Sequence, residues 1–215
     1  MEDLNKIVEY SKLKFAATPG DVRSLCKQAI MNRYRGVCVN SGFVRICYEE
    51  LKKNPEIIIV SATSFPNGAS SYRSKIYEAI CAAEEGAKEI DFAVNVGLVK
   101  DRKDKELRDE IKGVVRNTEG MAKVRAIVEA PVLTAEELVR VCNIAAEEEA
   151  AYIMTATGFN GNTTVDMVKD IKKIVGKRCL IKAYGGIDDA ETVKEMVKAG
   201  AAIVGTDTII KFEEE

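Results

Sequence analysis

Two charged residues stand inside otherwise apolar runs, and they are the first candidates for chemistry. Asp91 lies within "EIDFAV", between Ile90 and Phe92, and Lys182 lies within "LIKAYGG", between Ile181 and Ala183. Burying a charge without a partner is costly, so such residues carry either a counter-ion or a task. A lysine desolvated near other cations loses its proton near neutral pH and can act as a nucleophile or acid–base group. The structural alternative is a partnership of Lys182 with Asp91 or Glu129. Glu129 ends the run "RAIVEA" and is expected to pair with Lys182 or Arg125. Cys38, in "VCVN", reads as core, because nothing near it in sequence would lower its pKa. Asn40 and Asn95 end two further runs, either as donors to a substrate or as turn residues. The chain has no histidine. Acid–base work therefore falls to Lys, Asp, Glu, Tyr or Cys, and zinc held through imidazoles is excluded.

These residues need a scaffold, and the chain alternates short apolar runs with amphipathic stretches. The runs are 36–40, 56–63, 89–95, 124–130, 151–158, 179–186 and 201–207, each rich in Val, Ile or Ala. Stretches 70–87, 134–150 and 188–201 carry apolar residues at three- and four-residue spacing, the last closing on Gly200 as a C-cap. A poorer strand over 5–13 leads to Thr18 and Pro19, a cap and a first helical residue. That makes eight strand–helix units, the count of a (β/α)₈ barrel, in an α/β chain read as a single domain over residues 1–215. The competing open doubly wound sheet would have a Gly-x-Gly-x-x-Gly loop after its first strand, and none follows any strand here. In a barrel, Asp91 and Lys182 would point into one mouth, at the C-terminal ends of the strands.

Bulk properties narrow the partners. Of 215 residues, 47% are hydrophobic, and 32 basic residues face 34 acidic ones for a net charge of −2. No basic excess argues for nucleic acid and no single-sign field for a membrane surface. Six cysteines without a Cys-x-x-Cys pair read as buried free thiols of a reducing cytoplasm. The late loops "GGIDD" (185–189) and "GTDT" (205–208) occupy the places where barrels often bind phosphate. Asp188, Asp189 and Asp207 put negative charge there with no arginine, which disfavours a dianionic phosphate and tolerates a neutral polyol or a cation. Helix capping is the plainer reading for Asp188 or Asp189.

Seven ordered motifs resemble the deoxyribose-phosphate aldolase family. They are "VCVN" (37–40), "TSFPNGA" (63–69), "EIDFAVNVG" (89–97), "VEAPVLT" (128–134), "MTATGF" (154–159), "IKAYGGI" (181–187) and "VGTDT" (204–208). The resemblance implies a class I aldolase on a (β/α)₈ barrel, joining acetaldehyde and glyceraldehyde 3-phosphate through a lysine Schiff base, with no cofactor and no metal. Asp91 then matches the proton-relay aspartate, and Lys182 the second active-site lysine. Met154 stands at the Schiff-base lysine of the Lys-Thr-Ser-Thr-Gly motif, which here reads Met-Thr-Ala-Thr-Gly. Cys38, Thr155, Gly158, Tyr184, Gly185, Gly186, Thr206 and Asp207 become substrate-binding positions. A thioether forms no imine. The early Asp-His-Thr motif is Glu9-Tyr10-Ser11, the arginine after Gly-Gly-Ile is Asp188, the phosphate-gripping serines are Asp207 and Thr208, and Tyr184 is bulkier than expected. These departures suit a diverged or a rebuilt member. One reading is a lyase acting on a non-phosphorylated aldehyde or sugar, with Lys182 as the relocated amine. The other is a catalytically inactive barrel that binds a ligand or serves as a scaffold. A homodimer is the assembly carried with either.

Overall fold

A computed structural model describes residues 3–212 of the chain. Eight parallel strands close into a barrel in sequence order: β1 (Val8–Lys12), β2 (Gly36–Asn40), β3 (Ile58–Thr63), β4 (Glu89–Ala93), β5 (Lys123–Ile127), β6 (Tyr152–Met154), β7 (Leu180–Tyr184) and β8 (Ile203–Thr206). The first and last strands pair Val8 with Val204 and Tyr10 with Thr206, which closes the cylinder. Its helices are α1 (Pro19–Met31), α2 (Val44–Leu51), α3 (Tyr72–Glu84), α4 (Val96–Lys100), α5 (Asp104–Asn117), α6 (Ala135–Glu147), α7 (Val165–Val175) and α8 (Ala190–Ala199). Two helices rather than one follow β4. The (β/α)₈ expectation is met.

Local chemistry sets the helix starts. The Thr18 side chain accepts the Asp21 amide while Asp21 receives the Thr18 amide at 2.9 Å, with Pro19 opening α1. Thr134 and Glu137 repeat the box at α6. Asp189, not Asp188, caps α8, accepting the Thr192 amide at 2.9 Å. At the other end Gly200, at φ 117°, supplies the backbone that an L side chain resists. Asn95 accepts the Gly97 amide at 3.0 Å as the cap of α4, which is turn chemistry.

The strand β6 is shorter than the run 151–158, ending at Met154. Beyond it Thr155 still donates its amide to the Lys182 carbonyl at 3.0 Å, but Gly158 turns to φ 78° and the chain leaves the sheet.

Apolar side chains divide between two cores. The larger lies between sheet and helices and includes Phe92, Ile90, Ile111 and Ile153. A smaller cluster fills the barrel interior: Leu13, Cys38, Val60, Ala62, Ala93, Ile127, Met154 and Tyr184. All six cysteines are free, and five of them are buried. Among the described residues no helix is long and apolar enough to cross a membrane.

Candidate functional site

Period-two alternation sends Glu9, Cys38, Asp91, Arg125, Met154 and Lys182 inward from six strands. Asp91 and Lys182 meet as the barrel geometry demands. The Lys182 ammonium donates to Asp91 Oδ2 and to Glu9 Oε2, each at 2.6 Å. Arg125 Nε donates to Asp91 Oδ1 at 2.6 Å, and its Nη1 reaches Glu9 Oε1 at 2.8 Å and Glu89 Oε2 at 2.7 Å. Arg35 closes the cluster from one side, donating to Glu89 Oε1 at 2.6 Å and to Glu9. Three carboxylates thus face three cations. Glu9, Asp91, Arg125 and Lys182 have no solvent exposure at all.

The electrostatics follow from this balance. Desolvation pushes the Glu9 carboxyl up, but Arg125, Lys182 and Arg35 outweigh it and hold Glu9 well below the ordinary carboxylate range. Burial and the Arg125 charge work against the Lys182 ammonium, yet Asp91 and Glu9 overcome both, so its pKa is raised. Lys182 is an ion-paired cation. The Cys38 thiol donates to Asp91 Oδ2 at 3.4 Å, and burial pushes its pKa far up, so it is a buried core thiol.

Glu129 departs from expectation. It pairs with neither Lys182 nor Arg125; both of its oxygens accept the Thr157 amide, at 3.2 and 3.3 Å. Its backbone at φ 56° carries the carboxylate away from the central cluster and toward the β6–α7 loop. Glu9, named only as a departure from a motif, takes the place foreseen for Glu129. Arg35 and Glu89, adjacent to strand interiors at 36–40 and 90–93, were not singled out at all; their opposite charges at the strand starts were the available signal.

An apolar layer adjoins the charges. Met154 is fully buried, faces Lys182 across the β6–β7 pairing, and packs with Ile127, Ala93 and Tyr184. The Tyr184 ring stands 5.9 Å from the Lys182 ammonium, within reach of a cation–π contact. Burial, with Cys38 and Asp207 nearby, pushes its phenol pKa up. Gly205 makes room for both side chains: a Cβ there would lie 2.6 Å from Tyr184 Cδ2 and 3.0 Å from Lys182 Cε.

A cavity of about 200 Å³ opens above this layer at the C-terminal ends of the strands. Gly158, Tyr184, Gly185, Gly186, Thr206 and Asp207 line it. Cys38, Thr155 and Met154 do not. Thr155 is fully buried, its hydroxyl receiving the Tyr184 amide at 3.1 Å and lying 2.6 Å from the Thr163 hydroxyl. It therefore holds the end of β7 in place. Asn162 packs over Gly186, where an added Cβ would lie 2.4 Å from its carboxamide carbon. Lys14 and Phe159 also line the cavity and were missed. Lys14 sits in "SKLKF", one residue past the inward-facing Leu13. Asp207 and Lys14 thus bring one negative and one positive charge to the rim. Among the described residues no group of three or more His, Cys, Asp or Glu could hold a metal ion.

Comparison with known proteins agrees with the motifs. No family model matches the chain. The deoxyribose-phosphate aldolase of Natranaerobius thermophilus is 38% identical over 213 residues, 99% of this chain and 96% of that protein. That of Thermococcus kodakarensis is 37% identical over 215 residues, covering 96% of its length. Among solved structures, an aldolase called QR15 superposes with a TM-score of 0.91 at 30% identity, over 96% of this chain and 92% of that one. The deoxyribose phosphate aldolase of Aeropyrum pernix, described as a unique tetramer, gives 0.89 at 25% identity, over 96% of this chain and 87% of that one. With that identity spread over nearly the full length of its relatives, the chain belongs to the deoxyribose-phosphate aldolase family.

Proposed function

We propose that this member of the family binds a small non-phosphorylated carbonyl compound or sugar at the barrel mouth and does not take it through a lysine imine. The observation that carries the reading is the pair Met154 and Lys182. In the family's motif the first position is the imine-forming lysine, and here it is a buried thioether, which has no lone pair on nitrogen to attack a carbonyl. The neighbouring amine is bound to two carboxylates at 2.6 Å and is fully buried. As an ammonium it is no nucleophile.

The phosphate handle is altered as well. Asp207 lines the cavity, no arginine does among the described residues, and the Asn162 side chain occupies the space over Gly186. A dianion approaching the Gly185–Gly186 amides would meet the Asp207 carboxylate at close range, a repulsion of about 1–4 kcal/mol for a surface-like to partly dry site. Lys14 offsets part of this charge at the rim. A neutral hydroxyl-bearing ligand meets no such penalty and has Asp207 and Thr206 as partners.

The lyase reading, with Lys182 as a relocated amine, has in its favour that Lys182 is the register neighbour of Met154. It requires Lys182 to lose its proton beside Glu9 and Asp91 and the apolar layer to part. Self-association belongs to either reading, supported by the tetramer described for the Aeropyrum pernix protein; light scattering separates a dimer from a monomer.

Calorimetric titration with 2-deoxyribose and with 2-deoxyribose 5-phosphate, alongside a retro-aldol assay, tests the proposal. Binding of the free sugar without turnover supports it. Tighter binding of the phosphorylated sugar, or its cleavage at an enzymatic rate, overturns it.

A further inference from the structure

A second cavity, of about 310 Å³, lies at the same end of the barrel and shares no lining residue with the first. Pro66 and Asn67 from the β3–α3 loop, Val94 and Val96 around the start of α4, and Asn160 from the β6–α7 loop enclose it, with Glu129 at its polar end. Its size is at the lower limit of small-molecule sites.

Glu129 is what makes the cavity more than a packing gap. Five carboxylate residues are buried among the described residues: Glu9, Glu89, Asp91, Glu110 and Glu129. The first four each have a Lys or Arg nitrogen within salt-bridge distance: Arg125 and Lys182 for the central three, Lys75 at 3.0 Å for Glu110. Glu129 has none among the described residues: the Thr157 amide donates to both of its oxygens, and the Thr157 and Asn160 side chains are its other hydrogen-bonding neighbours. These donors are all neutral, whereas a buried carboxylate is normally paired with a cation. Burial raises its pKa, and the hydrogen bonds from Thr157 and Asn160 offset this only in part. The residue also holds the left-handed backbone at φ 56° without capping the turn that follows it, a conformation that non-glycine residues keep where the surroundings require it.

We propose that this cavity is a binding site for a small amphipathic ligand bearing a primary ammonium group, with Glu129 as its counter-ion. The ammonium would donate to the open positions of the Glu129 carboxylate. Proline and valine side chains would cover the ligand's carbon chain, and Asn67 and Asn160 would flank its polar end. The inference stands apart from the reading of the central mouth, because neither Met154 nor Lys182 enters it.

Butylamine and 1-butanol are matched probes, titrated against the full-length protein and followed by backbone amide NMR shifts. The expected result is shifts at Val94, Glu129 and Asn160, with butylamine binding at least about tenfold tighter than butanol, as a charge-assisted bond implies. Glu129→Gln, which keeps an acceptor for the Thr157 amide, is expected to erase that advantage and leave butanol unchanged. If that variant does not fold, Val96→Phe fills the cavity and is expected to abolish the shifts. Equal affinities for the two probes overturn the proposal. So do an absence of shifts at those residues, or butylamine binding that survives Glu129→Gln or Val96→Phe.

Discussion

Met154 and Lys182 face each other across the β6–β7 pairing, both fully buried, and only one of them carries a charge. That charge belongs to a closed account of three cations and three carboxylates. Lys182→Ala would leave Glu9 and Asp91 short of a cation in a fully buried site, and breaking a buried pair in this way costs about 3–5 kcal/mol. Urea denaturation checks it. A loss below about 1 kcal/mol would mean that Lys182 holds no structural charge.

The same cluster predicts how stability depends on pH. Glu9 has its folded pKa below the unfolded value of about 4.3, so its contribution is present above that pH and is lost as the pH falls toward the folded pKa. Lys182 has its folded pKa raised, so its contribution is present below the unfolded value of about 10.4 and is lost as the pH rises through the folded pKa. The denaturation midpoint is therefore expected to be level between about pH 5 and 10 as far as these two groups are concerned. Glu9→Gln should lower the plateau and flatten the acid limb. An acid limb of unchanged steepness in that variant contradicts the assignment.

Gly205→Ala tests the crowding around Tyr184. The new methyl carbon would press on Tyr184 and Lys182 at 2.6 and 3.0 Å, and overpacking of this kind costs about 1–3 kcal/mol. Removing the ring should restore part of the loss, so Gly205→Ala in a Tyr184→Ala background is expected to cost less than in the native one. A double-mutant cycle with no coupling would place the Tyr184 ring elsewhere.

Thr155→Val removes a hydroxyl that receives the Tyr184 amide and lies against Thr163, leaving buried polar groups unserved. The expected destabilisation is about 1–3 kcal/mol. Amide hydrogen exchange at Tyr184 should accelerate more than exchange in β3. Uniform acceleration across both strands would mean that the hydroxyl has no local role.

Much of the scaffold was legible because a barrel repeats one pattern eight times. Strand β2 matched its apolar run at both ends, and Thr18, Pro19, Thr134 and Gly200 acted as their types dictate. The meeting of Asp91 with Lys182 followed from period-two alternation once the barrel was assumed. What failed was partner choice. Glu129 looked like the counter-ion of Lys182 because both are charged residues in apolar runs, but the positive φ at Glu129 is invisible in a sequence without glycine or asparagine there. Glu9 lies 173 positions from Lys182, and only closure of β8 onto β1 brings it in. The resemblance placed Thr155 among the substrate-binding positions, but β6 ends at Met154 and the Thr155 hydroxyl serves the Tyr184 amide and Thr163.

Reductive trapping addresses the central claim most directly. The unmodified protein would be incubated with acetaldehyde and borohydride, then digested, and alkylation of each lysine-bearing peptide quantified by mass spectrometry. A fully buried, ion-paired Lys182 predicts labelling of exposed lysines and none at Lys182, while Met154→Lys gives a labelled peptide at position 154. Alkylation of Lys182 in the unmodified protein ahead of the exposed lysines would contradict the account.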